Sequence, residues 1–540
     1  MTSVIVKVIG AVYKIPLTAY IGAVGRGYFA AAYNVYLPVH AVLMGALPIA
    51  LSRLVSKYNA LGNKRMLSSL KKGSMSVFVC AGMLGMLIII IASKPYSQLI
   101  ASSPKSVYTI YVLAPSLLFS CLAASYRGYF EGFMNMQPTA VSQTVEALFK
   151  MLFGLLFAKL SMGYMLKSYT LSGTVFNTPL SSESEALSFI YPLTSASAML
   201  GVSLGSVISF IYVYIYYHIN KDNTAPKVSG REGRSELLSF SFPIMLSCAV
   251  QSVFQFLDTA SVQFSLGRLS YSNLKSFYPF VSTLEKSDSV TYVFGLFSTA
   301  LDFKNLVPGV TMALGVCAVP AICAEFESKN SEKLSVLINS VYKYTSLLSF
   351  FGGGVIAICS YDILSIFYSG SKDIVEGCNT LVALFGLTVP VYSLASTAVF
   401  CVQALGKPER SVCSYAVSGV IRVVLNVILI RFTKLGLIGA VVSGAAGYLA
   451  LFIWNVLLAK SISKVKFSLK NIVIKPFLVS AFATFVTFKA CYFIGFENSS
   501  VFNLLIKTSV FGGIYCILCI FVKLINFEQI FCVLKMKKMA

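Results

Sequence analysis

Apolar segments long enough to cross a lipid bilayer as helices recur along the whole chain of 540 residues. The hydrocarbon core offers no hydrogen-bond partner to a peptide group, so a chain can cross it only as helices or as a closed barrel. Runs of about 20 apolar residues fit helices rather than barrel strands, which need about half that length. We therefore expect an all-α integral membrane protein with about 14 spans: 2–22, 29–52, 74–93, 107–129, 138–159, 188–218, 238–266, 290–323, 336–359, 376–402, 411–431, 435–459, 472–494 and 501–524.

The composition supports the membrane class and excludes a soluble globular protein. Hydrophobic residues make up 57% of the chain, charged residues 12%, and the mean hydropathy is +0.79. This charged fraction is about half of that in soluble domains. The first apolar segment begins almost at Met1, without a basic leader region or a small-residue cleavage site. We therefore expect it to be a span and not a cleavable signal peptide.

Two parts of the chain recur at one spacing. GALPIALSRLVSKY at 45–58 returns in altered form as GVCAVPAICAEFESK at 315–329. Lys150 matches Arg422 at the same spacing of 272 residues. A duplicated unit in so apolar a chain is typical of transporters that place a substrate path between two lobes.

The repeat predicts the domain organisation. Residues 1–218 are expected to form an N-terminal lobe of six spans, and 237–459 a C-terminal lobe of six more. The polar segment 219–236 is the expected cytoplasmic linker between the lobes, and 460–540 adds two further spans and a basic tail. The expected fold is therefore two six-helix lobes followed by two extra helices.

Lysine and arginine are concentrated in alternate connections between the spans. The connection between the second and third spans is rich in them, as are 221–234, 460–470 and the C-terminal tail. Because cytoplasmic loops carry an excess of these residues, we expect both termini to lie inside a bacterial cell, with the protein in its cytoplasmic membrane. The net charge of +23 follows mostly from this bias. No segment is long enough to form the soluble basic face that nucleic-acid binding requires.

Motifs of catalysis and metal binding are scarce in the sequence. It has two histidines, His40 and His218, so it contains no H-E-x-x-H zinc motif, and it has no Walker-type glycine loop. Most of the 13 cysteines fall within apolar spans, where they are expected to act as small apolar side chains. We therefore expect no enzyme activity, no metal site and no cofactor.

Ionisable residues inside the predicted spans are the informative ones. A charge at mid-bilayer costs roughly 2.5–3.5 kcal/mol on insertion scales, so such a residue usually faces a cavity or a partner. The candidate substrate-binding residues selected in this way are Lys14, Arg53, Glu146, Lys150, Asp258, Lys304 and Arg422.

A purely structural role stays open for several of these residues. Lys14, close to Pro16, either lines a cavity or extends its ammonium group to the membrane interface. Glu146 and Lys150 lie four residues apart on one helix face, so they either bind substrate or neutralise each other. Arg53 borders the cytoplasm, so it either binds substrate or is one of the basic residues that are common at the cytoplasmic ends of spans.

The first lobe has more cationic than anionic side chains at membrane depth. A cationic cavity suits an anionic substrate, such as a phosphate or diphosphate headgroup. An exporter of cationic drugs, or one coupled to sodium, would be expected to show more intramembrane carboxylates. The charge pattern therefore favours an anionic substrate.

Several stretches resemble the MOP superfamily of exporters, and within it the MurJ and SpoVB group of polysaccharide and lipid-linked oligosaccharide flippases. They include VIVKVIGAVYKIPL at 4–17, RGYFEGFMNMQPTAVSQTVEALFK at 127–150 and NLVPGVTMALGVCAVPAICAEFE at 305–327, and the resemblance covers nearly the whole chain. It implies a MATE-like fold with alternating access between two lobes. The implied substrate is an undecaprenyl-diphosphate-linked oligosaccharide, either the peptidoglycan precursor lipid II or a related polysaccharide or spore-cortex intermediate.

The resemblance also implies partners and residue roles. The expected partners are the lipid-linked anionic glycan, the bilayer and cell-wall synthesis proteins, and the protein is expected to work as a monomer. Lys14 stands at the place of a first-span cation that holds the diphosphate in the MurJ branch, and Arg53 is a looser match. The eighth span has no counterpart of the arginine found in that branch, and Lys304 is out of register, which favours the SpoVB-like side.

Two other functional classes stay open at this point. One is a MATE-like cation-coupled antiporter of small molecules, for which Asp258 would be the candidate coupling residue. The other is a non-transporting scaffold for cell-wall or sporulation assembly. A membrane-embedded glycosyltransferase is disfavoured, because the sequence shows no acidic loop motif for a metal-bound sugar nucleotide.

Overall fold

The structure, a computed structural model, describes residues 2–220, 228–465, 467–494 and 501–524. These residues form sixteen α-helices and one two-stranded hairpin, which confirms the expected all-α class. Three predicted segments lie partly or wholly outside the described residues: 221–227 of the linker, 495–500 of the last connection, and the basic tail at 525–540. The helices are α1 (Thr2–Ala60), α2 (Lys64–Pro95), α3 (Ser106–Gly132), α4 (Gln137–Ser172), α5 (Glu183–Ile219), α6 (Arg231–Gly267), α7 (Tyr271–Phe277), α8 (Ser289–Lys304), α9 (Leu306–Glu327), α10 (Ser331–Ile358), α11 (Ser360–Phe367), α12 (Lys372–Ala404), α13 (Pro408–Arg431), α14 (Leu437–Ser463), α15 (Lys475–Ile494) and α16 (Val501–Phe521).

Twelve of the described helices are long and apolar enough to cross a membrane. One of them, α1, contains two predicted spans, and α4, which carries the predicted fifth span, is not among the twelve. The protein is therefore a multi-pass membrane protein, and the count of about 14 spans stays a prediction.

The first helix reverses direction at Gly22. This residue has φ 66° and ψ 179°, outside the helical region, while the residues on both sides are helical. The ring centroids of Tyr13 and Phe29 lie 6.2 Å apart, although a straight helix would separate them by about 24 Å. A positive φ is readily adopted by glycine and costs other residues strain. Two arms of α1 therefore fold back on each other, and this accounts for the two spans predicted there.

The predicted eighth span, 290–323, differs from the structure. Two helices, α8 and α9, occupy this stretch and meet at Asn305. Pro308 is the third residue of α9, where its missing N–H would have had no intrahelical acceptor. A proline in the first turn is therefore compatible with the start of a new helix here.

The two longer connections predicted outside the membrane contain short elements. The α4 helix continues to Ser172 and is closed by Gly173, which has φ 65°. A hairpin of β1 (Thr174–Val175) and β2 (Thr178–Pro179) follows. The second connection contains α7 and two 3₁₀ turns, Pro279–Thr283 and Lys286–Asp288.

The chain divides into two compact units, Met1–Ser298 and Thr299–Ala540. In the first unit α4 and α5 approach closely, because a Cβ atom on Gly201 would lie 2.2 Å from the backbone nitrogen of Gly154. In the second unit a buried ion pair of 2.7 Å between Lys507 and Asp362 joins α16 to α11. The predicted lobes were drawn from the sequence repeat rather than from compactness, and their boundaries stay a prediction.

Candidate substrate site

A cluster of three charged side chains lies on α3 and α4 in the first unit. The Glu146 carboxylate accepts a hydrogen bond from Lys150 Nζ at 2.7 Å and another from Arg127 Nη2 at 2.9 Å. The side chains of Glu146 and Arg127 are 13% and 11% exposed, so water contributes little to their solvation. The cluster contains two cations and one anion, which leaves one net positive charge at this depth of the protein.

Serine hydroxyls and a glycine hold the cluster in place. Arg127 also donates to Ser142 Oγ at 2.8 Å through Nε and to Ser209 Oγ at 2.5 Å through Nη2. A Cβ atom on Gly205 of α5 would lie 2.7 Å from Cγ of Lys150. The small residue therefore lets α5 lie directly against the lysine stem, and the guanidinium group is fixed by three partners.

Lys14 lies on the first arm of α1, eight residues before the reversal at Gly22. That separation is about 12 Å along a helix, close to the middle of a bilayer core of about 30 Å. The preceding residue, Tyr13, packs its hydroxyl against Gly154, one turn beyond Lys150 on α4. The first arm of α1 therefore runs past α4 near the level of the charged cluster, and Lys14 is half-buried there.

A row of aromatic rings on the second arm of α1 lies near the cluster. Tyr33 and Tyr36 have ring centroids 6.0 Å apart, and those of Tyr36 and His40 are 5.2 Å apart. The charges of Lys150 and Glu146 are close enough to all three rings to interact with them electrostatically. Flat rings beside cationic groups are suited to bind sugars and phosphates together.

Arg53 lies in a separate cavity at the end of α1. The cavity has a volume of about 1020 Å³, and its wall includes Arg53, Lys57 and Glu236, which forms an ion pair with Lys57 at 3.3 Å. The Arg53 side chain is exposed and lies over the ring of Phe240 at 5.0 Å. Since α1 folds back at Gly22, helix geometry separates the levels of Lys14 and Arg53 by roughly 35 Å. The structure therefore does not bring these two residues to one diphosphate.

Two predicted residues of the second unit meet at one aromatic ring. The Lys304 ammonium lies 4.8 Å from the ring centroid of Tyr448, and the Arg422 guanidinium lies 4.9 Å from the same centroid. The rings of Phe385 and Tyr392 lie 5.3 and 5.1 Å from the Lys304 ammonium. Both cations are buried, with 7% and 5% exposure. Cation–π attraction compensates part of the solvation that they lose.

Asp258 is placed on α6, in the first unit, and is half-buried. Its backbone oxygen accepts a hydrogen bond of 2.7 Å from the Ser261 hydroxyl. In the described part of the chain, groups of three histidine, cysteine, aspartate or glutamate residues that could hold a metal ion are absent.

Three further buried cations were not among the candidates selected from the sequence. Arg127 falls in the predicted fourth span, where the rule that selected the others would also have found it. Arg26 was assigned to a loop, but it is 2% exposed and lies over the ring of Phe29 at 5.3 Å. Lys71 was also assigned to a loop, but its ammonium lies 3.4 Å from the ring centroid of Tyr126.

The sequence is similar to known membrane proteins over most of its length. Residues 1–177 match a family described as polysaccharide biosynthesis protein. Lipid II flippase MurJ of Bacillus subtilis (strain 168) is 24% identical over 473 residues, which are 84% of this chain and 80% of the relative. Stage V sporulation protein B of the same organism is 18% identical over 532 residues, which are 97% of this chain and 94% of the relative.

Solved structures are similar to this chain at the level of the fold. Lipid II flippase MurJ in an inward closed conformation has a TM-score of 0.66 at 16% identity, covering 97% of this chain and 98% of that one. An inward-facing multidrug resistance MATE family transporter has a TM-score of 0.63 at 14% identity, covering 84% and 99%. The chain therefore has the fold of these two transporters, the second of which is described as a member of the MOP superfamily. In sequence, the chain is similar to MurJ and to stage V sporulation protein B over most of its length.

Proposed function

We propose that the protein is a flippase for an undecaprenyl-diphosphate-linked oligosaccharide. The substrate is lipid II or a related polysaccharide or spore-cortex precursor, moved by alternating access from the inner to the outer leaflet of the cytoplasmic membrane. Support comes from relatives named as a lipid II flippase and a sporulation protein, which match 84% and 97% of the chain.

The observation that carries the proposal is the excess of cations at membrane depth in the first unit. Lys14, Arg127 and Lys150 supply three positive charges, against two carboxylates, that of Glu146 in the cluster and that of Asp258 on α6. A diphosphate is an anion that lysine and arginine bind through charge-assisted hydrogen bonds. We assign Lys14 and Lys150 to the diphosphate. Lys150 is paired with Glu146 but is 27% exposed, whereas Arg127 is 11% exposed and is held by Glu146 and two serines.

The remaining parts of the substrate have complementary surroundings. We assign the sugar to Tyr33 and His40, the half-buried rings of the aromatic row, because rings commonly pack against the apolar faces of sugars; Tyr36 between them is buried. The polyprenyl tail stays in the bilayer throughout. One net charge moved across the membrane potential is worth about 2.3 kcal/mol per 100 mV, so the potential is able to return the empty, cationic carrier.

The remaining sequence-based expectations extend this proposal. Both termini lie in the cytoplasm, as the distribution of lysine and arginine indicates. The protein moves its substrate without chemical conversion, works as a monomer, and has cell-wall synthesis proteins as further partners. Arg53 and the Lys304–Arg422 pair belong to the path that the substrate follows. The chain consists of two lobes (1–218 and 237–459), the linker between them (219–236) and the C-terminal addition (460–540).

Complementation of bacterial cells depleted of their own lipid II flippase tests the proposal. Wild-type protein is expected to restore growth, and Lys14→Ala to fail although it reaches the membrane in normal amounts. The matched control is Lys159→Ala, which removes an exposed lysine from the same unit and should leave growth unchanged. Growth restored by Lys14→Ala would contradict the assigned site. Failure of the wild type, with its presence in the membrane confirmed, would point to another lipid-linked glycan, and transport of the other named precursors would then decide the substrate.

A cation-coupled antiporter is the second candidate, favoured by the fold match to a MATE transporter. Under this alternative Asp258 is the coupling residue, and transport depends on a sodium or proton gradient. The Asp258→Asn variant should then lose transport, whereas a flippase driven through its cationic site should retain it. The two helices α15 and α16 weigh against the antiporter, because such proteins typically have 12 spans.

A further inference from the structure

A polar pocket of about 300 Å³ lies in the second unit, apart from the Lys304–Arg422 pair. Three segments form its wall: the first turns of α10, the turn that precedes α15, and the residues that follow α16. The lining residues are Ser335, Val336, Asn339, Ser340, Lys343, Ser468, Asn471, Ile472, Lys523 and Leu524.

Hydrogen bonds fix these three segments to one another. Asn339 Oδ1 accepts from the backbone N–H of Ser468 at 3.0 Å, which joins α10 to the turn before α15. Lys475 Nζ donates to the backbone oxygen of Val522 at 3.3 Å, which joins the start of α15 to the end of α16. The pocket is therefore a preformed part of the fold rather than a gap between unconnected helices.

The charge of the pocket selects an anion. Lys343 and Lys523 are its charged lining residues, and none of the ten described residues of the wall carries a carboxylate. Ser468 and Asn471 add a hydroxyl and an amide donor to the wall, whereas the Ser340 hydroxyl and the Asn339 amide already donate to backbone oxygens of α10. Two ammonium groups together with hydroxyl and amide donors are the set that proteins use to bind phosphate.

The surroundings of the pocket indicate that this phosphate belongs to a lipid. Val336 in the wall is 64% exposed, and Phe521, two residues before Lys523, is 83% exposed. Leu469 and Ile474, on either side of the turn, are 49% and 52% exposed. Large apolar side chains so exposed in a membrane protein face acyl chains, so headgroup and tail of one lipid both find matching surfaces here.

We propose that this pocket binds the phosphate headgroup of an anionic phospholipid. Under the orientation proposed above, the start of α10, the start of α15 and the end of α16 all lie at the cytoplasmic leaflet, where anionic lipids attract basic residues. The bound lipid joins the two extra helices, α15 and α16, to α10 within the second unit. It is a structural ligand, distinct from the transported substrate.

Lipid titration with native mass spectrometry tests the proposal on the full-length protein in detergent. The probes are dioctanoyl phosphatidylglycerol, dioctanoyl phosphatidylcholine and inorganic phosphate. We expect phosphatidylglycerol to bind in preference to phosphatidylcholine, whose quaternary ammonium is repelled by the two lysines. Lys343→Ala/Lys523→Ala should weaken its binding about 30-fold, since each basic residue near an anionic lipid is worth about 1 kcal/mol.

The matched control removes two exposed lysines that lie outside the pocket in the same unit, Lys333→Ala/Lys460→Ala, and should leave binding unchanged. If the double pocket variant unfolds, Asn339→Asp adds a negative charge while keeping an oxygen for the Ser468 N–H, and it should also weaken binding. Equal binding of the two lipids, or equal losses in the pocket and control variants, would overturn the proposal. Displacement of the lipid by equimolar inorganic phosphate would instead assign the pocket to free phosphate.

Discussion

Lys150 in the first unit and Arg422 in the second lie 272 residues apart, and each packs against a glycine on the next helix. A Cβ atom on Gly205 would lie 2.7 Å from Cγ of Lys150, and one on Gly447 would lie 2.2 Å from Cγ of Arg422. Each unit therefore packs a cationic side chain against a glycine of the following helix. This shared arrangement agrees with the duplication predicted from the sequence.

The groups that face the two cations differ. Glu146 lies one turn before Lys150 and forms an ion pair with it, whereas the matching position in the second unit is Ser418, whose hydroxyl donates to the Gly447 backbone at 2.8 Å. Arg422 lies instead over the ring of Tyr448, which it shares with Lys304.

An ion pair and an aromatic ring stabilise a buried cation to different degrees. Removal of one partner of a buried ion pair leaves an uncompensated charge and costs several kcal/mol. A ring over a cation contributes about 0.5–2 kcal/mol and imposes less directional geometry. The site around Lys150 therefore depends strongly on a single carboxylate, and the site around Lys304 and Arg422 distributes its stabilisation over several rings.

The largest expected effect comes from Glu146→Gln. This change removes the negative charge between Arg127 and Lys150 and leaves the buried Arg127 and the part-buried Lys150 together without a counter-charge. The free energy of unfolding should fall by about 3–5 kcal/mol. Denaturant unfolding of purified protein in detergent measures this change. Glu183→Gln, at an exposed helix start, is the control and should change stability little. Equal stability of Glu146→Gln and wild type would show that the ion cluster is not structural.

An intermediate effect is expected from Gly447→Ala. The added methyl group overlaps the stem of Arg422 at 2.2 Å and must displace it, which should cost about 1–3 kcal/mol of stability. The control is Gly444→Ala on the same helix, where nothing lies within 4 Å of the added atom. That control should be neutral or stabilising by up to about 1 kcal/mol, because alanine favours a helix. Thermal unfolding of the two variants compares them directly, and equal effects would remove the packing argument.

The smallest expected effect comes from Tyr448→Phe. The ring stays over both cations, but the hydroxyl that accepts a hydrogen bond of 3.3 Å from Arg422 Nη1 is lost. We expect a loss of about 0.5–1.5 kcal/mol, measured by the same unfolding experiment. Tyr344→Phe, at a side chain that is 48% exposed, is the control. A loss of several kcal/mol from Tyr448→Phe would mean that the hydroxyl, and not the ring, stabilises the two cations.

The sequence predicted the helical class, because spanning segments are local and depend on runs of neighbouring apolar residues. It also placed Glu146 and Lys150 on one helix face, since a spacing of four is a local property of a helix. The meeting of Lys304 and Arg422 at Tyr448 was not predicted. These residues lie on three different helices, and the packing that brings them together leaves no local pattern.

The assignment of residues to loops from runs of neighbouring residues was also wrong where a helix extends into a predicted loop. Arg26 and Lys71 were assigned to connections, yet α1 continues from its reversal through Arg26, and α2 begins before Lys71. The same tertiary packing that places Arg127 beside Glu146 buries these two cations among aromatic rings. A search for charged residues within the predicted spans would have found Arg127, but its hydrogen-bond partners on other helices can be identified only from the structure.

The reversal at Gly22 has a consequence for how the protein enters the membrane during synthesis. Two apolar arms separated by one non-helical residue form a helical hairpin with almost no hydrophilic segment between them. Such a hairpin is able to leave the translocation channel laterally as one unit, because its arms satisfy their own backbone hydrogen bonds and no long polar loop has to cross the bilayer. Biogenesis of the first two spans is therefore expected to be a single insertion event.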